Sequence, residues 1–415
     1  MRSALVVPVT GVKYPLMENN SKTPMQTIVL LAMMATLCNV AHGGGRVTMT
    51  LLALQLGADA FGVGMLIALY ALGPLVFAIY AGKIIDRVGA RLPMMLGSGG
   101  IAVLLLLPAT MQNLWVMYGT AFLLGLSFML FFVATQGITG AIGKPEDRTR
   151  NYSLLAVGFS VSGFIGPLIA GFAIDHLGYT RALLIISCFA LLPVAFLWFR
   201  PDLLPRKPPA AAPPAGQSAF DLWRMPGLRS VFITGGFISA GWDLYTFYLP
   251  VYARSIDLSA SVIGMIIATF AVATCVIRLF LATLIKRGQE ARILNIALVV
   301  AGIAYFLFPF CTNAWLLAGV SFLLGLAMGT GQPLSMILIY NLTPRDRTSE
   351  SAGVRVTVNH LVHVTVPLLF GAIGSAFGFY PVFVLNALML VGGGTLHGRS
   401  AAKPTGDEAV KRDAQ

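Results

Sequence analysis

Of the 415 residues, 57% are apolar and 11% charged, against roughly 45–50% and ~25% in a soluble globular domain. Lys and Arg number 28 against 16 Asp and Glu, a net charge of +12. They fall between apolar runs rather than on one folded face, which excludes nucleic-acid binding along with a soluble fold. At ~20 apolar residues per bilayer crossing, the chain holds about a dozen crossings and short loops, leaving no room for a soluble catalytic domain.

Hydropathy, punctuated by charge, Pro and Gly, predicts twelve apolar segments at 27–56, 60–84, 93–110, 114–142, 151–175, 180–199, 228–253, 260–285, 291–311, 314–342, 349–376 and 380–397. All are expected to be helices, because a spanning segment must satisfy its own backbone in hydrocarbon. A barrel would show ~10-residue stretches alternating apolar with polar, and none alternates so. The stretch before Thr27 lacks the apolar run and cleavage site of a signal peptide. Cys38, Cys188, Cys275 and Cys311 lie in four different apolar runs without metal-ligand spacing, so they read as small core residues.

Between the sixth and seventh segments the composition turns abruptly to Pro and Ala, which marks 201–227 as a linker. The expected domains are a terminal segment 1–26, a six-helix bundle 27–200, the linker 201–227, a second bundle 228–397 and a tail 398–415. If the N-terminus is cytoplasmic, 23 of the 28 Lys and Arg fall in cytoplasmic loops, linker and tails, and the outer loops keep only Arg181 and Arg254. That asymmetry follows the positive-inside rule, puts both termini in the cytoplasm, and accounts for the net charge without an acidic partner.

The halves repeat each other at an offset of 200 residues. Gly64, Met65, Ile67, Ala68 and Ala71 recur as Gly264, Met265, Ile267, Ala268 and Ala271. Asn113, Trp115, Gly119 and the run from Phe122 to Leu126 recur as Asn313, Trp315, Gly319 and Phe322 to Leu326. Pro167, Gly171 and Gly178 recur as Pro367, Gly371 and Gly378. Six segments separate equivalent positions, so both halves start on the same side and are related by a pseudo-twofold along the membrane normal.

The loop after the second segment reads Gly82-Lys-Ile-Ile-Asp86-Arg87-Val-Gly89-Ala-Arg91. Its glycines suit a tight turn and close helix approach, and its charges suit ion pairing and a helix N-terminus. With twelve segments and a parallel repeat, it resembles the G-x-x-x-D-R-x-G-x-R signature of the major facilitator superfamily. The resemblance implies a latch: Asp86 meets the cytoplasmic start of the eleventh segment, Thr348-Ser349-Glu350, and holds the outward-open state. Ala282, Lys286 and Gln289 occupy the equivalent positions in the second half, so one latch is expected. The fifth segment, with Ser162, Gly163, Gly166, Pro167, Ala170 and Gly171, resembles in part the Gly-Pro motif of the family's exporters. Helix packing explains those small residues equally well.

Charge inside a membrane is costly enough to point to function. Arg278 and Arg355 lie near cytoplasmic ends, and snorkelling to headgroups accounts for both. Arg46 and Asp243 lie deeper. At the repeat offset Asp243 matches Gly43, one turn from Arg46, so an ion pair across a central cavity is expected. His42-Gly43-Gly44-Gly45 either unwinds the first helix or packs it closely. His360 and His363 share one face but have no carboxylate near them in sequence, so no metal site is expected. Gln136, Gln332, Ser335 and Asn341 are expected to line the cavity, and Trp242, Tyr245 and Tyr248 to form an aromatic wall.

The fold class is therefore all-α, integral to the membrane. Neither an ATP-binding loop, a catalytic triad nor a metal cluster is present in the sequence, so a non-enzymatic transporter with no cofactor is expected. Its partners are a small solute, protons and the lipid bilayer, and it works as a monomer in an inner membrane. Proton-coupled efflux of an amphipathic solute by alternating access is the leading expectation. Uptake or exchange of an organic anion, or a non-transporting receptor or scaffold with a filled cavity, are the alternatives.

Overall fold

The computed structural model describes residues 24–139, 142–143, 147–201, 203–204, 219–284, 289–343 and 348–401, and the described elements are helical. In chain order they are α1 (Pro24–Gln55), α2 (Ala60–Val88), α3 (Arg91–Thr110), α4 (Leu114–Thr139), α5 (Arg148–Phe199), a short α6 (Ala219–Arg224), α7 (Pro226–Ser255), α8 (Ala260–Leu284), α9 (Glu290–Leu307), a 3₁₀ turn (Phe308–Phe310), α10 (Ala314–Leu342), α11 (Thr348–Phe377) and α12 (Phe379–Ala401). Among the described residues, nine helices are long and apolar enough to cross a membrane. Their flanks expose Leu279, Phe280, Leu369 and Phe377, an apolar surface that water would not tolerate but lipid does.

The fifth and sixth predicted segments form one continuous element, α5, broken only at Gly178 (φ +81°). Its repeat equivalent Gly378 (φ +79°) separates α11 from α12, so α5 is two arms joined at a left-handed glycine. The same correspondence runs through the other turns. The α1–α2 turn places Gly57 at φ +87° and the α7–α8 turn places Asp257 at φ +59°. In both, the next residue bonds back into the helix, Ala58 N–H to the Ala53 carbonyl (2.9 Å) and Leu258 N–H to that of Ala253 (3.1 Å), which satisfies terminal carbonyls in the manner of a Schellman turn. Asn113 and Asn313 each accept the N–H of the Trp two residues on, at 2.8 and 2.9 Å, and hold Trp115 and Trp315 outward on the surface.

Within the first half α1 lies along α5, and α3 packs on α4 and α5; within the second, α8 packs on α10 and α9 on α12. The halves meet chiefly where α2 packs on α11 and α5 on α8. The glycines of α1 do not unwind it, since the helix is continuous from Pro24 to Gln55; Gly44 and Gly45 serve close packing, whereas Gly43 faces open space. A Cβ on Gly44 would come within 3.0 Å of the Gly166 carbonyl oxygen, and one on Gly45 within 3.0 Å of the Leu105 side chain.

Candidate functional site

Three adjoining cavities run from the Gly82 end of α2 toward Trp242; the second and third are lined by both halves, and the described lining of the first belongs to the first half. One of about 400 Å³ lies toward the Gly82 end of α2 and touches Gly82, Ile85, Gln136 and Tyr152. It shares Phe132 and Val133 with a second of about 340 Å³, which reaches His42, Arg46, Tyr70, Asp243, His360 and His363. A third of about 210 Å³ shares His42 and Arg46 with the second and ends against Gly163, Pro167 and Trp242.

Asp243 is the centre of this arrangement. It is buried in α7 and is the one carboxylate among the described residues lining the three cavities. Its Oδ1 lies 3.8 Å from the Arg46 guanidinium of α1, and its Oδ2 is hydrogen-bonded to His363 Nδ1 of α11. Three helices thus converge on one acid, which a burial of this depth requires. The contact with His363 escapes sequence reasoning because residues 120 apart carry no spacing signal. Tyr70, buried in α2 beside the same cavity, carries no local signal either.

At the other end of α2 the halves close on each other twice, by the same geometry. A Cβ on Gly64 would sit 2.3 Å from the Pro367 carbonyl oxygen, and one on Gly264 would sit 2.5 Å from that of Pro167. Gly171 and Gly371 are equally bare, with the carbonyls of Ala260 and Ala60 at 2.4 and 2.9 Å from a built Cβ. Beyond the glycines each seam has an acid and a serine. Asp59 caps α2 by accepting from Gly62 N–H (2.8 Å), while Ser375 of α11 donates to Asp59 and accepts from Phe61 N–H (3.0 Å). In the second seam Ser259 takes the capping position of α8, and Asp175 of α5 accepts from Ala260 N–H (3.1 Å) and Ser261 N–H (2.7 Å). Ser375, first, and the Gly62 N–H hold the Asp59 carboxyl below its ordinary value.

The remaining predicted residues divide. Trp242 lines the third cavity, with the Arg278 guanidinium 5.9 Å from its ring centroid. Gln136 lines the first cavity and accepts from the Tyr152 hydroxyl through its carbonyl (3.1 Å). Tyr245 instead turns into the second half, stacked on Phe270 at 4.1 Å and donating to the Ile266 carbonyl (3.2 Å). Gln332 is bonded to Arg355, Ser335 is buried and donates to the Gln332 carbonyl, and Asn341 is exposed. Neither Arg278 nor Arg355 needs the headgroups that snorkelling would supply: Arg278 donates to the Gly329 carbonyl (3.3 Å) and Arg355 to Gln332, both on α10.

In the signature loop, Gly89 ends α2 at φ +83° as its turn requires, but a Cβ on Gly82 would meet nothing within 4 Å among the described residues. Arg87 is exposed, and Arg91 ties α3 to α5 through the Leu197 carbonyl (2.9 and 3.1 Å). The side chains of Asp86 and Glu350 lie outside the described residues. In α5, Gly166 abuts the Val40 carbonyl (3.0 Å from a built Cβ), Gly163 makes an ordinary contact with Ala271, and the helix continues through Pro167.

The chain resembles the multidrug resistance protein MdtG of Serratia proteamaculans, 27% identical over 328 residues that span 75% of this chain and 76% of the relative. The MdtG of Salmonella typhimurium is 27% identical over 321 residues, 74% of this chain and 77% of that one. Its fold matches the crystal structure of a bacterial homologue of the human lysosomal transporter Spinster, inward-facing and unoccupied (TM-score 0.74, 13% identity, 92% of this chain and 98% of that one). It also matches a variant of the nucleoside transporter NupG (TM-score 0.76, 13% identity, 91% and 100%). The family model described as Major Facilitator Superfamily matches residues 31–287 and 231–412. With more than half its length so matched, the chain belongs to the Major Facilitator Superfamily and is a multi-pass membrane transporter, not an enzyme.

Proposed function

We propose that this chain is a proton-coupled exporter of a small amphipathic solute, working as a monomer in an inner membrane by alternating access. In this reading twelve helices form two six-helix bundles, both termini are cytoplasmic, and the Gly82 end of α2 faces the cytoplasm. The observation that carries it is Asp243, the one buried acid among the described residues, shared by Arg46 and His363 beside a cavity that continues toward Gly82, while at the Asp59 end the halves meet backbone to backbone. The conformation is then inward-open, in keeping with the likeness to the inward-facing Spinster homologue, and the MdtG relatives are named as multidrug resistance proteins.

The cycle follows from electrostatics. A buried carboxylate that loses a partner takes up a proton rather than remain unpaired. For export the proton and the solute occupy the site in turn: open to the outside and empty of solute, Asp243 parts from Arg46 and takes up a proton; facing the cytoplasm it pairs again, returns the proton there and leaves the cavity to the solute. On the family resemblance, Asp86 latches the cytoplasmic face once the outer seams part. A filled cavity, which a non-transporting scaffold would have, does not agree with the space around Arg46.

The test is flux into inverted membrane vesicles under an imposed proton gradient, read as solute accumulation and solute-evoked proton release. Export predicts both, and predicts that Asp243→Asn abolishes them. Accumulation by right-side-out vesicles alone would favour uptake and end the export reading.

A further inference from the structure

The cavity around Arg46 has polar groups whose hydrogen-bonding demand the protein leaves unmet. Arg46 is a quarter exposed, and its Nε–H has no acceptor among the described residues. The Tyr70 hydroxyl and His42 Nδ1, which line the same cavity, also lack partners among the described residues. Buried polar atoms without partners are costly and rare, and here they gather about one cation. The one acid nearby is already engaged by His363, so the free valence of the site is that of a donor.

From this head the wall becomes aromatic. His42 stacks on Phe128 at 3.8 Å with planes 9° apart, Phe128 lies 5.7 Å from Phe132, and Phe132 stacks on Phe159 at 5.6 Å. The cavities on either side have no acid among their described lining residues, and Arg278 stands over the Trp242 that closes the third. A cation would meet Arg46 before any free carboxylate; an anion would meet a donor set and then a ladder of rings suited to a flat apolar body.

We infer that the solute is an aromatic carboxylate, its acid held by Arg46 with Tyr70 and its rings laid along Phe128 and Phe132. This rests on the cavity being the solute's path. The carboxylate satisfies the orphaned donors, so a neutral or cationic analogue of the same shape is discriminated against by the group it lacks.

Equilibrium dialysis of the purified full chain against 2-naphthoate, 2-naphthamide and 2-naphthylmethylammonium tests the inference. The acid is expected to bind at least about tenfold more tightly than the amide, and the amine to be excluded, as the loss of a charged hydrogen-bond pair implies. Tyr70→Phe should weaken the acid by about tenfold and the amide by less, because a neutral carbonyl accepts the lost hydrogen bond more weakly than a carboxylate. Arg46→Gln should bring the acid down to the level of the amide. Should Arg46→Gln alone fail to fold, the Arg46→Gln/Asp243→Asn pair leaves no stranded charge and gives the same comparison. Amine binding tighter than acid, acid affinity unmoved by loss of Arg46, or no saturable binding of naphthoate would each overturn the inference. Proton-driven flux of another solute that naphthoate does not inhibit would remove the anion and leave transport standing. Naphthoate binding without flux would do the reverse.

Discussion

Gly64 and Gly264 make the same contact with opposite halves of the molecule, each pressing a bare Cα against a proline carbonyl, Pro367 for one and Pro167 for the other. Backbone meets backbone at both places, so neither partner can swing aside to admit a side chain. Gly64→Trp should therefore hold the outer seam apart and cut transport by at least about tenfold, because a rearrangement costing more than ~1.4 kcal/mol shifts an equilibrium by that factor. Labelling of a cysteine placed at Val47, which lines the third cavity, should rise from the outer side. An unchanged labelling rate with full transport would remove the glycine from the closing contact.

Closure should depend on pH with a definite sign. The hydrogen bond from Ser375 reaches Asp59 from the opposite half, so it exists only in the closed seam, and it holds that carboxyl below its ordinary value of 3.8. Closure then favours the deprotonated acid. Its contribution is present above the ordinary value and is lost as pH falls through the lower value of the closed state. Spin-label distances between the α1–α2 turn and the α11 end should accordingly stay constant from about pH 8 to about pH 5, well above the carboxylate range. Asp59→Asn should open the seam across that whole interval, by about two- to fivefold in population, since the group is exposed and well screened.

Asp243 and Arg46 should couple in a double-mutant cycle. Removing Arg46 alone leaves a buried carboxylate with His363 as its remaining partner, a loss of order 3–5 kcal/mol for a stranded charge, whereas removing both charges avoids it. Arg46→Ala should thus be more damaging to stability and flux than Arg46→Ala with Asp243→Asn. Losses that simply add would mark the pair as independent.

The two halves also differ in strain. Gly57 takes a left-handed turn without penalty, but at the equivalent place Asp257 adopts φ +59°. A non-glycine residue there costs roughly 1–2 kcal/mol, partly offset by the greater freedom glycine has when unfolded. Asp257→Gly should raise stability by about 0.5–1 kcal/mol, read as a higher midpoint of thermal unfolding in detergent, with transport unchanged. A fall in the midpoint would mean that the Asp257 side chain holds the turn in some other way.

What the sequence makes legible follows from which signals are local. Hydropathy places the helices, and the repeat predicts the shared depth of Arg46 and Asp243, because both are read along the chain. Side-chain rotation about a helix is not: Trp242 and Tyr245 lie three apart, yet one lines a cavity and the other turns to Phe270. His363 is visible as a polar residue in an apolar run, but its carboxylate arrives on α7 through tertiary packing. The run of glycines at 43–45 weakens an isolated helix, and only the neighbouring Gly166 and Leu105 reveal that Gly44 and Gly45 are there for close approach.

The acid and serine of the two seams bear on how such a chain changes over generations. At one seam the acid stands at position 59 with serine at 375; at the other, serine stands at 259 with the acid at 175. Both arrangements present the same N–H group, that of residue 61 or 261, to the facing side chain. Acid and hydroxyl are therefore interchangeable across the seam but not independently dispensable. Two acids face to face would repel, and two serines would leave the helix start without its anion. Lineages of this chain should drift here only by paired exchange, so homologous sequences would show the carboxylate at 59 or at 375, seldom at both and seldom at neither.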